Sequence, residues 1–130
     1  MFEFVLPQSP GEWLAWVSAL ATLALGLAYL LAPRLALRVM RLRIAEGVPE
    51  ALFEFRATIS GFYLGVSLMA LLFNQPFLWM ALGAAWGLSV LGRLVSILID
   101  RGERKFNWIA TIVEAVLAAC PLVYVFGYVA

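Results

Sequence analysis

Four runs of apolar residues, at 13–32, 53–73, 77–99 and 108–129, are separated by short stretches that carry most of the charge. A bilayer hydrocarbon core about 30 Å thick takes roughly 20 helical residues to cross. Each run meets that length, so the pattern predicts an all-α integral membrane bundle of four transmembrane helices, a single domain over 1–130. The punctuation between runs agrees. Ser9-Pro10 with Glu12 reads as a capping box opening the first span, and Pro33 closes it. Asn74-Gln75-Pro76 is long enough only for a tight turn between spans two and three. Pro49, followed by Glu50 and Glu54, suits the positive end of a helix dipole. Asn107 is expected to cap span four, and Pro121 to free the carbonyl of Leu117 and kink that helix.

Composition sharpens this picture. Hydrophobic residues make up 65% of the chain and charged ones 13%, against roughly 45–50% and about 25% in soluble domains. Lipid is therefore the expected solvent for most of the surface. The stretch 34–50, with fewer than twenty residues, is too short to fold alone. The first twelve residues hold no Lys or Arg, which is unlike a cleavable signal peptide, so the first span is expected to stay.

Charge placement gives an orientation. The basic residues gather around 34–43 and 101–105, and short Lys/Arg-rich loops face the cytoplasm. Both termini are then expected outside the cytoplasm. Arg34, Arg38 and Arg41 follow span one at i, i+4 and i+7, with Leu35 and Leu42 on another face: a short basic amphipathic segment, serving either topology or attraction to anionic lipid. Trp13, Trp16 and Trp79 with Tyr124 and Tyr128 are placed at the outer interface and Trp108 at the inner one. A net charge of +1, interrupted by spans, argues against a nucleic-acid partner.

Ionisable groups inside the spans are the candidate chemistry, since a charge at the bilayer centre costs about 2.5–3.5 kcal/mol and such groups pair or face a wetted interior. Counting from the basic ends at 1.5 Å per residue puts Arg93 of span three and Glu114 of span four at one level. Ser89, Arg93, Ser96 and Asp100 form a polar stripe at i, i+4, i+7 and i+11, and Arg56, Ser60, Tyr63 and Ser67 a second one on span two. Ala57, Gly61 and Gly65 beside it, like Gly83 and Gly87 on span three, offer close-packing surfaces, expected to serve contacts within one chain ahead of a dimer seam. These positions define a polar pocket in the cytoplasmic half, with Arg56, Ser60, Tyr63, Arg93, Ser96 and Glu114 as ligand-binding residues and Glu54 and Asp100 at its rim. Glu54 and Arg56, two positions apart, point to different sides of their helix. Three roles stand open for Arg93 and Glu114: a structural ion pair, a site for an anionic or amphiphilic ligand, and an ion path.

Glu54-x-Arg56-Ala57 with Ser60-Gly61 and Gly65, then Gly92-Arg93-Leu94 with Ser96, Asp100 and Gly102, then Glu114, resembles a group of small bacterial four-span proteins known only as a domain of unknown function. The resemblance spans nearly the whole chain; Ile59-Ser60-Gly61 departs from the Tyr-Gly-Gly common there. It implies a bacterial inner-membrane location and the four-helix fold, and supplies no activity.

No metal or cofactor is expected. Histidine is absent, Cys120 is the single cysteine, and no carboxylate cluster or G-x-S-x-G nucleophile motif occurs. The expectation is a non-enzymatic membrane protein that binds a lipid headgroup or small amphiphile or serves as accessory subunit of a membrane complex, with membrane lipids and a homo-oligomer or larger complex as partners. The alternative is a small oligomeric transporter or channel with Arg93 and Glu114 in its pathway.

Overall fold

The computed structural model describes residues 5–100 and 104–129. Residues 101–103, which include Gly102 of the family pattern and most of the second basic loop, lie outside them. Helix α1 spans Pro10–Leu31, α2 Pro33–Val39, α3 Glu50–Glu54, α4 Ser60–Phe73, α5 Pro76–Ile99 and α6 Arg104–Val125. A π-helical turn, Phe55–Ile59, joins α3 to α4 without a break. Four segments are thus long and apolar enough to cross a membrane: Pro10–Leu31, Glu50–Phe73, Pro76–Ile99 and Lys105–Val125, of 22, 24, 24 and 21 residues. At 1.5 Å per residue they measure about 31–36 Å. Many of their large apolar side chains point outward, among them Phe62, Phe77, Leu88, Leu98, Ile112 and Val116. Such a surface belongs in lipid, and the protein is a multi-pass membrane protein.

Local chemistry sets the helix ends. Ser9 Oγ accepts the Glu12 N–H at 3.2 Å and Glu12 returns a contact to the Gln8 N–H at 3.4 Å, completing the expected box one residue early. Ala32 leaves helical geometry at φ −134°, ψ 60°, as the residue before a proline tends to do, and Pro33 starts α2 in a new direction. Asn74 takes the left-handed conformation, φ 49°, that ends α4; its Oδ1 accepts from Trp79 Nε1 at 2.8 Å across the turn. Trp79 and Trp16 are buried core residues, so their rings pack inside the bundle and not toward lipid. Asn107 also departs from expectation. It lies inside α6, which begins earlier, at Arg104.

The helices pack in the order α4, α1, α6, α5, and the ring closes weakly, because α4 and α5 touch least. Small residues permit the close crossings. A Cβ on Gly26 of α1 would stand 2.9 Å from Leu64, and one on Gly83 of α5 would stand 2.5 Å from Leu122 and 3.2 Å from the Ala118 carbonyl. Ala15, Ala19 and Ala70 complete these contacts around Trp16, Leu71, Trp79, Leu82 and Trp86. Helix α6 continues through Pro121. The Leu117 carbonyl, deprived of its usual partner by the missing proline N–H, accepts instead from Ser18 Oγ of α1 at 2.6 Å. Thr22 Oγ1, one turn further along α1, donates to the Ser18 carbonyl and accepts Trp86 Nε1, both at 2.8 Å.

Candidate functional site

The π-helical turn decides which span-two residues face the bundle. In it the Ser60 N–H reaches the Phe55 carbonyl, five residues back, so the residues ahead of the turn are rotated relative to a continuous α-helix. Phe55 is buried as a result, with its ring centroid 5.0 Å from that of Tyr29. Arg56 is turned outward and exposed, and no described residue partners it. The predicted stripe is thereby broken. Ser60 is buried but donates to the Gly26 carbonyl at 2.8 Å, a structural role that occupies its hydroxyl. Glu54 is exposed and accepts from Thr58 at 3.1 Å. Tyr63 does face inward, its ring 5.0 Å from Tyr29 and 5.5 Å from Trp86, in edge-on arrangements.

Helices α5 and α6 bring Arg93 and Glu114 together. Arg93 Nε donates to Glu114 Oε2 at 2.7 Å and Nη1 to Asn107 Oδ1 at 3.2 Å, while Ser89 Oγ donates to Glu114 Oε1 at 2.5 Å. Helical spacing explains the convergence: Ser89 and Arg93 are four apart on α5, Asn107 and Glu114 seven apart on α6, each pair on one face. Glu114 is only 8% exposed, so its charge requires this pairing. Arg93 is less enclosed, with 28% of its side chain exposed. A guanidinium carries five N–H groups; two are used here, and among the described residues the other three find no acceptor. Ser96 and Asp100 stand apart from this group: the Ser96 hydroxyl donates to Asp100 Oδ2 at 2.8 Å, and Asp100 is exposed.

Ser89 also lines a second feature. The weak seam between α4 and α5 holds a cavity of about 300 Å³ bounded by Thr22, Phe62, Tyr63, Val66, Leu82, Ala85, Trp86 and Ser89. Its walls are mostly apolar, and Phe62 at its edge is strongly exposed on the bundle's outer surface. The polar cluster therefore borders, through Ser89, a mostly apolar cavity on the bundle flank. Depth puts Arg93 and Glu114 at one level and the stripe puts Ser89 on the face of Arg93; the bonds of Ser89 to Glu114 and of Arg93 to Asn107 are tertiary, and Asn107, read as a cap, carries no separate signal. Among the described residues no group of three or more His, Cys, Asp or Glu side chains comes together.

No curated protein and no solved structure matches this chain. A family model does, over residues 11–125, which take in all four spans. The chain belongs to that family, described as Domain of unknown function (DUF4345).

Proposed function

From a family without an assigned activity, we propose that this chain is a non-enzymatic amphiphile-binding protein of the bacterial inner membrane. The polar end of the ligand meets the free guanidinium N–H groups of Arg93, and its apolar part lies in the cavity between α4 and α5. The observation that carries this reading is the double position of Ser89, which lines the apolar cavity and hydrogen-bonds Glu114 beside Arg93. A predominantly apolar pocket with a few placed polar groups is the usual form of a small-molecule site. Because Glu114 offsets the charge of Arg93, the pair offers donors more than net charge, which favours an acceptor-rich headgroup over a bare anion. The positive-inside rule places the basic ends of the spans in the cytoplasm, so the headgroup would bind in the inner leaflet.

Native mass spectrometry of the protein extracted in mild detergent tests this. The wild type is expected to carry a defined extra mass that is lost in Arg93→Ala and in Ala85→Trp. The second change fills the cavity from an exposed wall position and leaves the ion pair intact. Bare wild-type protein, or that same mass undiminished in both variants, would contradict the proposal.

A further inference from the structure

A second groove runs along the outer side of the same seam, with a volume of about 430 Å³, and it does not touch the Arg93 cluster. Ala57, Gly61 and Gly65 form its floor, at four-residue intervals along one face of span two, with Phe62 and Leu78 on its sides. A Cβ built on Gly61 or Gly65 meets nothing within 4 Å. The expected role of these glycines in packing within the chain is therefore not the one they have; Gly26 and Gly83 do that work, and Gly61 and Gly65 leave space open toward the bilayer. Arg56, next to Ala57 and about 9 Å along the helix from its start at Glu50, carries a charge that no described residue neutralises. Its long side chain can hold the guanidinium at headgroup depth while its stem lies against apolar surface.

We propose that this groove binds an acyl chain of an anionic phospholipid whose phosphate pairs with Arg56. The guanidinium presents paired donors that match phosphate oxygens, and an alkyl chain can occupy space that the missing glycine side chains leave. A second copy of the chain fits less well. Spans of equal topology meet at equal levels when related by an axis along the membrane normal, so packing the Gly61 and Gly65 faces together would set the two Arg56 side chains, of like charge, near one another. A phosphate neutralises each of them instead. This site stands independently of the ligand proposed for Arg93.

The test is titration of the delipidated full-length protein with phosphatidylglycerol and with phosphatidylcholine of the same chains, read by native mass spectrometry. The wild type is expected to retain phosphatidylglycerol preferentially, and Arg56→Gln to cut that preference about fivefold. Gly61→Leu and Gly65→Leu are expected to lose both lipids with an unchanged melting temperature, because each new side chain enters open space. Ser89→Ala, which alters the Glu114 cluster and the cavity beside it but no residue of this groove, should leave the groove's lipid in place. Equal retention of the two lipids by the wild type would overturn the proposal. So would undiminished phosphatidylglycerol in both leucine variants, loss in Ser89→Ala but not in Arg56→Gln, or a dimer that Gly65→Leu separates, which would give the groove to a second copy.

Discussion

Glu114 is the residue whose surroundings constrain the bundle most. A carboxylate 8% exposed inside a span is tolerable only because Arg93 and Ser89 satisfy both of its oxygens. Removing one partner of such a buried pair typically costs about 3–5 kcal/mol, whereas removing both costs much less. Thermal unfolding in detergent should accordingly show Arg93→Ala and Glu114→Ala strongly destabilised, with the double variant more stable than Arg93→Ala. Additive losses would rule out the pairing as a stabilising unit. Depth along two spans put these residues at one level from sequence, with a structural ion pair as one of three roles left open, because rise per residue is constant in a helix. The partners Asn107 and Ser89 were not assigned to Glu114 and Arg93 in that way, since rotation about the helix axis is set by packing against other chain segments.

At the scale of elements, two local irregularities shape the molecule. The proline in α6 leaves the Leu117 carbonyl to Ser18. An unsatisfied buried carbonyl costs about 1–3 kcal/mol, so Ser18→Ala should destabilise the protein by that amount. Adding Pro121→Ala should recover most of the loss, because the new N–H can serve the same carbonyl; no recovery in chemical denaturation would show that Ser18 acts otherwise. Sequence reading identified the orphaned carbonyl and expected a kink, but the hydroxyl that satisfies it lies 99 residues away in the chain, beyond any local pattern. The π-helical turn was hidden for a different reason: a stripe drawn at 3.6 residues per turn assumes an unbroken α-helix, and one five-residue step moves Arg56 outward and Phe55 inward. The glycines divide in the same manner. Gly83→Ala, which meets Leu122 and the Ala118 carbonyl, should lower stability by about 1–3 kcal/mol, and Gly87→Ala, which meets nothing within 4 Å, should stay within about 0.5 kcal/mol. Equal melting temperatures for the two variants would contradict the packing described.

On the scale of the whole molecule, the four-span architecture was legible because hydrocarbon thickness dictates helix length and leaves little freedom in composition. What was not legible is the uneven closure of the ring. Apolar residues at the open α4–α5 seam read the same whether they face lipid or protein, so hydropathy cannot tell Phe62 on the flank from Leu82 in the core. The proposed orientation has its own check. Reporter fusions at the N-terminus and C-terminus should both read periplasmic and an insertion near Val48, an exposed position in the first basic connection, cytoplasmic; the reverse pattern would invert the leaflet assigned to the ligand. The cavity at the seam, joined through Ser89 to the Arg93–Glu114 pair, is the centre of the account. Ligand that binds only the folded state raises its stability, so the most direct measurement is the melting temperature of delipidated protein with and without lipid extract from bacterial membranes. The account predicts an upward shift for the wild type and a clearly smaller one for Ala85→Trp, in which only the groove floored by Gly61 and Gly65 stays open. No shift in the wild type, or the same shift in both, would contradict it.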